Sequence, residues 1–190
     1  MNKIYIENKV FEKIDFSKKE LTKGEYENCT FINCLFSHTH LSNIIFSSCE
    51  FKGCNLSLAK IVNTSFKDIT FRDSKLVGLH FETCNKFLFS VEFENCILNH
   101  SSFYKLMMKK MQFNNCTLHE VDFTECDLTG ALFDHCDLSR ARFEKTVLEK
   151  ADFRTSYNFS IGPEINRIKK AKFSALGIIG LLDKYDIVVD

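Results

Sequence analysis

The sequence predicts an all-β solenoid, and three observations predict it. A large apolar residue recurs at every fifth position, a small or modest side chain stands two residues before most of these, and the flanking positions are mostly polar. The first series runs Phe11, Phe16, Leu21, Tyr26, Phe31, Phe36, Leu41, Phe46, Phe51, Leu56, Ile61, Phe66, Phe71, Leu76 and Phe81. After a short break it resumes two residues out of phase as Phe93, Leu98, Phe103, Met108, Phe113, Leu118, Phe123, Leu128, Phe133, Leu138, Phe143, Leu148 and Phe153. Of the 20 Phe in the chain, 16 occupy these centres, where an aperiodic scatter would place about four. An amphipathic helix would smear such residues around its circumference, and a pleated strand would send alternate ones to opposite faces. A repeat array keeps them together.

Composition sets the outer limits. The 190 residues allow one ordinary domain or two small ones. Twenty-five Lys plus Arg balance 25 Asp plus Glu, so the net charge of +0 excludes a strongly basic nucleic-acid binder and gives no bulk attraction to an anionic membrane. With 45% apolar residues the chain can build a core.

The small slot holds all nine cysteines: Cys29, Cys34, Cys49, Cys54, Cys84, Cys96, Cys116, Cys126 and Cys136. A structural zinc site needs clustered thiolates, whereas these spacings are multiples of five apart from the phase shift, so they read as small buried hydrophobes and no metal or other cofactor is expected. Cys29 and Cys49, Cys34 and Cys54, and the series Cys96, Cys116, Cys136 should stack on successive rungs, and their Cα separation alone would not forbid disulfides. The absence of a signal peptide and of any apolar run near 18 residues argues for a reducing cytoplasm and free thiols. The six His (38, 40, 80, 100, 119 and 135) fall in outward positions and share no site. No Gly-rich phosphate loop or nucleophile elbow is present, so no catalytic residue is assigned and the chain is not expected to be an enzyme.

With its small-polar-large-polar-X pattern, as in Ala131-Leu-Phe-Asp-His-Cys136-Asp-Leu-Ser-Arg-Ala141, the chain resembles the pentapeptide-repeat proteins over about residues 11–153. The resemblance implies a right-handed quadrilateral parallel β-helix, with four pentapeptides per coil. The sequence supports the fourfold closure itself: in the second half Phe recurs every ten residues with Leu or Met between, so Phe stacks would fill one pair of opposite walls. In the first half Phe11, Phe31, Phe51 and Phe71 would share a wall. Seven coils at about 4.8 Å each would run about 34 Å and need both ends covered.

Departures from the pattern outline the organisation. Residues 1–10 are expected to form an N-terminal edge strand or cap, and residues 11–156 the repeat β-helix. Residues 84–92 hold the phase change, a kink between two sub-rods or a partner-contact loop, with Phe87 or Phe89 partly outside the stack. Residues 157–170 contain the only Pro and read as an irregular excursion, followed by one last repeat at 171–174. Ser174 is placed to cap a short helix over 175–185, ending before an extended terminal strand.

Leu176, Ile178, Ile179, Leu181, Leu182 and Tyr185 spread around that helix, which can plug the open core or join two copies. The resemblance favours a homodimer through this end. Elsewhere on the surface, Glu120, Asp122, Glu125, Asp127, Asp134 and Asp137 form an acidic stretch without Lys or Arg. The resemblance implies that such acids can imitate duplex DNA toward DNA gyrase, a type II topoisomerase, and so modulate fluoroquinolone susceptibility. A mimic, however, needs acids in rows along the coil axis, and these ring about one coil. Twenty residues on, Glu120 meets Arg140, Asp122 meets Arg142, Glu125 meets Lys145 and Asp134 meets Arg154, an expected inter-coil ladder. The leading expectation is therefore a non-enzymatic scaffold for an unidentified protein partner, with neither direct nucleic-acid nor membrane binding, and the gyrase-directed mimic is the alternative.

Overall fold

The chain folds as a parallel β solenoid of about seven turns with almost no helix. The computed structural model describes residues 4–185, 187 and 188. The chain divides into two compact units, Met1–Ile97 and Leu98–Asp190. In the first unit, β1 (Ile4–Glu7), β3 (Gly24–Glu27), β5 (Ile45–Ser47) and β7 (Ser65–Lys67) follow one another in one sheet. A second sheet takes β2 (Val10–Glu12), β4 (Thr30–Ile32), β6 (Glu50–Lys52), β8 (Ile69–Arg72) and β9 (Val91–Glu94) in that order. Every pair is parallel, with Phe11 beside Phe31, Phe31 beside Phe51 and Phe51 beside Phe71. In the second unit β10 (Gln112–Asn114) pairs with β11 (Leu132–Asp134). Bridges such as Ser102 to Asp122, Met107 to Asp127 and Thr117 to Asp137 carry the same 20-residue register along the other walls.

The core follows from that register. Because a residue and its twentieth successor lie on adjacent rungs, identical rings stack face to face. Phe11 and Phe31 are 4.8 Å apart, Phe31 and Phe51 4.7 Å, and Phe16 and Phe36 4.6 Å. The second unit has two such stacks, Phe103–Phe123–Phe143 and Phe113–Phe133–Phe153–Phe173. Rings of the two stacks meet edge to face, Phe113 and Phe123 at 5.8 Å and 79°, the geometry that aromatic quadrupoles favour.

The small slot carries more than a size requirement. Its side chain donates to the carbonyl of an apolar centre on the preceding coil: Cys49 to Tyr26 O, Cys54 to Phe31 O, Thr64 to Leu41 O, Ser74 to Phe51 O and Thr146 to Phe123 O. At these positions a backbone carbonyl points into the core, where an unpaired acceptor is costly. Thiol and hydroxyl donors therefore recur for a hydrogen-bonding reason as well as a packing one.

Corners have their own rule. Two residues after a centre the backbone enters the left-handed region, as at Asn33 (φ 53°), Asn43 (φ 64°), Asn63 (φ 55°) and Asp73 (φ 51°). Asn and Asp tolerate that region, which costs other side chains roughly 1–2 kcal/mol. Leu58 occupies such a corner at φ 56° and is 51% exposed, its side chain lying over Gly78 on the next rung, so it has little packing to offset the strain. Leu58→Asn is expected to stabilise the protein by about 0.5–1 kcal/mol, read as a raised urea midpoint at unchanged slope.

The expected phase change lies between β8 and β9, which pair Phe71 with Phe93, a separation of 22 residues. The extra residues loop out after Asn85, which bridges to Ser65. Phe87 is 70% exposed, while Phe89 leans edge-on against Phe81. At the N-terminal end the residues expected to cap or edge the helix include β1, hydrogen-bonded to β3 as part of the first coil. Beyond Phe153 the chain regains the ladder earlier than the sequence suggests. Arg167 bridges to Val147 and Lys172 to Asp152, and Phe173 stacks 5.4 Å from Phe153.

The expected C-terminal helix takes a different form. Gly177–Leu181 and Asp183–Tyr185 are two 3-10 turns. Gly177 and Gly180 lie against the Phe159 ring, and the tighter 3-10 winding lets the Ile161 N–H reach Gly180 O at 2.9 Å. The residue at the N-cap of the first turn is Leu176, which makes no side-chain cap bond, and the Ser174 hydroxyl accepts from Gly177 N–H at 2.9 Å. Of the expected terminal strand, Ile187 and Val188 are outside any strand, and Asp186, Val189 and Asp190 lie outside the described residues.

Candidate interaction surfaces

The six acids between residues 120 and 137 are each engaged locally. Asp122, Asp127 and Asp137 stand one residue before an apolar centre and fold back. Their Oδ1 atoms accept from the N–H groups of Thr124, Thr129 and Ser139 at 2.9, 3.0 and 3.1 Å. This Asx geometry accounts for the recurring Asp-Leu-Thr and Asp-Leu-Ser. Glu120 is held by Arg140 and lies 3.4 Å from His100. Glu125 pairs with Lys105 at 3.4 Å, Asp127 with Lys109 at 3.3 Å and Asp137 with His119 at 2.8 Å. Asp134 accepts from the Thr155 hydroxyl at 2.9 Å and meets His135 at 2.9 Å.

Of the four expected rung-to-rung pairs, only that of Glu120 with Arg140 forms. Arg142 turns 3.9 Å from Glu144 rather than to Asp122, whose Oδ1 accepts from Thr124 N–H in its own turn. Arg154 finds Asp152, two residues away, at 2.8 Å instead of Asp134, and Glu125 takes the lysine of the preceding coil instead of Lys145. The carboxylates thus form no row of free charge along the coil axis.

Asp137 gives this band a pH signature. Desolvation pushes its carboxyl up, but hydrogen bonds from Ser139, His119 and Asn158 outweigh it and hold the group at about 2. A depressed carboxylate contributes stability above its unfolded pKa of about 3.9, and that stability is lost as pH falls through the folded value. The melting temperature is therefore expected to fall between about pH 4 and pH 2, and Asp137→Asn to flatten that part of the profile. An unchanged slope in the variant would show that Asp137 is not a source of the acid sensitivity.

The C-terminal face is apolar and open. Leu176 is 85% exposed, Ile178, Ile179 and Tyr185 about half, and Leu181 and Leu182 are half-buried. The segment is pinned from beneath. A Cβ on Gly180 would lie 2.3 Å from Phe159 O, so only glycine allows this approach. Glu164 receives both Lys184 and the Tyr185 hydroxyl, which hold its carboxyl down at about 2. Beside the segment lies a cleft of about 660 Å³ whose lining includes Arg140, Tyr157, Asn158, Leu176, Ile179 and Asp183.

All nine cysteines are buried, and none forms a disulfide. Burial pushes Cys49 up to about 11 and both Cys54 and Cys126 up to about 12, far from the thiolate form that nucleophilic chemistry needs. Among the described residues no group of three or more His, Cys, Asp or Glu can hold a metal ion, and no helix is long and apolar enough to cross a membrane.

A family model described as a pentapeptide repeat region matches residues 19–87 and 74–153. No curated protein matches the chain. Two trypsin-treated forms of QnrB1, a plasmid-mediated fluoroquinolone resistance protein, are similar in fold. One is 20% identical with a TM-score of 0.60, covering 98% of this chain and 92% of that one. The other is 19% identical with a TM-score of 0.58, covering 98% and 100%. HetL, a pentapeptide repeat protein involved in heterocyst differentiation regulation in the cyanobacterium Nostoc, is 16% identical with a TM-score of 0.45, covering 88% and 86%.

Proposed function

Since this chain belongs to the pentapeptide-repeat family, we propose that it is a non-enzymatic protein-interaction scaffold that forms a homodimer through its C-terminal face. The observation that carries the reading is the exposed Leu176, Ile178, Ile179 and Tyr185 on a segment held in place from below. A contiguous apolar surface of this kind marks an association site. A second copy of the same face covers it without any foreign chain, as in an isologous dimer. Light scattering on the full chain is expected to give about twice the 22.1 kDa of the monomer. Leu176→Glu combined with Ile179→Glu is expected to return it to monomer. A monomeric wild type at micromolar concentration would remove the dimer, and affinity capture that returned no specific partner would remove the scaffold.

The gyrase-directed mimic has less support. Its carboxylates are tied to turns and to basic neighbours, and likeness to QnrB1 at this identity speaks for the fold alone. Supercoiling by gyrase, with and without a fluoroquinolone, while this protein is titrated in, is expected to be unaffected. Protection or inhibition would revive the mimic.

A further inference from the structure

The single-sign row that duplex imitation would need in acids exists in this molecule with the opposite sign. On one wall of the second unit, Lys110, Gly130, Lys150 and Lys170 occupy the same corner on four successive rungs. Lys110 N–H donates to Thr129 O, Gly130 N–H to Glu149 O and Lys150 N–H to Lys169 O, at 2.9, 2.8 and 3.0 Å. All three lysines and the adjacent Lys169 are exposed. The nearby carboxylates are already taken: Asp127 by Lys109 at 3.3 Å, Glu149 by Arg167 at 2.6 Å, and Asp152 by Arg154 at 2.8 Å and Lys172 at 3.5 Å. None of Lys110, Lys150, Lys169 and Lys170 meets a carboxylate among the described residues.

The equivalent corners on the unit's other walls are mixed in character. They read His100, Glu120, Arg140 on one, Lys105, Glu125, Lys145 on the next and Asn115, His135, Thr155 on the third. Like charges on neighbouring rungs oppose folding, and lysine gains nothing from the left-handed corners at φ 59°, 60° and 60° where it sits. Local structure therefore gives no reason for this column.

We propose that the lysine column is a docking surface for an acidic, extended segment of a partner protein. The proposal rests on the scaffold reading and names the wall and the partner chemistry. Lys110 to Lys170 spans three rungs, about 14 Å, or about four residues of extended chain. Met107, on the same wall, is 73% exposed beside Lys109 and Lys110. That thioether suits an apolar side chain of the partner, which a phosphate backbone does not offer. Gly130, in the middle of the column, has no side chain of its own, and the Lys110 stem lies beside it, 3.7 Å from where a Cβ would stand. The chain's net charge of +0 also supplies no long-range field of the kind that gathers nucleic acid.

The test uses the full chain and a fluorescein-labelled octapeptide of glutamates with one central leucine, followed by anisotropy. Wild type is expected to bind it, with affinity falling on going from low to physiological salt. The triple variant Lys110→Asn, Lys150→Asn, Lys170→Asn is expected to bind about 10-fold or more weakly. Asn suits the left-handed corners, so this variant should melt no lower than wild type, and loss of binding cannot be ascribed to unfolding. Equal binding by both proteins, no binding by wild type, or tighter binding of a short DNA duplex than of the peptide would each overturn the proposal. Because the peptide readout needs no native partner, it registers separately from any failure of affinity capture. A native partner retained equally by wild type and variant would overturn this wall and leave the scaffold standing.

Discussion

Phe133→Ala is expected to destabilise the second unit by about 3–5 kcal/mol, the largest loss from any single aromatic truncation there. Phe133 is fully buried, stacked 5.0 Å from Phe113 and 4.7 Å from Phe153, and edge-on to Phe123 at 5.8 Å and Phe143 at 6.4 Å. Truncation removes the transfer free energy of a ring and two stacked and two edge contacts. The void cannot collapse, because the ladder of inter-coil hydrogen bonds fixes the distance between rungs. A repeat array is stabilised by its nearest-neighbour interfaces, so a defect in mid-stack weakens both adjoining coils. The matched control is Phe87→Ala at the phase change, where a ring 70% exposed contributes within about 0.5 kcal/mol. Urea denaturation of both variants decides the matter, and similar losses would mean that the stacks do not dominate stability.

The contrast between Phe133 and Phe87 was legible in the sequence, because a five-residue period assigns every large apolar residue either to a centre or to none. The period also placed the phase change and all nine cysteines. It did not expose what the slot does. Cys136 and Ala131 look alike as small residues, yet only the first reaches a carbonyl, that of Phe113 at 3.3 Å. Nor did a 20-residue offset predict ion pairs. It puts Arg154 beside Asp134, but a flexible guanidinium takes the nearest carboxylate, which belongs to Asp152. Rotamers, unlike rungs, leave no period in a sequence. The exposed C-terminal face and the lysine column stand between these cases. Their residues can be read directly, but exposure decides the first, and the engagement of every neighbouring acid decides the second.

The same limit hid Asn166, and replacing it should have the second largest effect. The excursion that holds Pro163 erases the register, and Asn is too large to suggest a small slot, so residues 157–170 read as irregular. In the structure Asn166 is 7% exposed and occupies that slot. Its amide donates to Phe143 O at 2.8 Å and to Gly162 O at 3.0 Å, while its oxygen accepts from Thr146 N–H at 2.8 Å. One side chain therefore satisfies a core-facing carbonyl, closes the excursion and pairs a buried N–H on the preceding coil. Asn166→Leu leaves Phe143 O and Thr146 N–H unpaired and removes one of the two bonds to Gly162 O, which keeps Ile165 N–H, and is expected to cost about 3–5 kcal/mol. The loss should be local first, freeing the last coil and with it the face that carries Leu176 and Ile179. Asn166→Ser is the discriminating partner, since in the same slot Ser74 both donates to Phe51 O and accepts from Cys54 N–H. It should keep two of the three bonds and cost about 1–2 kcal/mol. Hydrogen exchange on residues 157–185 together with light scattering reads both effects. Asn166→Leu should lose amide protection there and dimerisation together, and Asn166→Ser should keep most of each. Full protection in the leucine variant would show that packing, rather than this amide, holds the C-terminal coil.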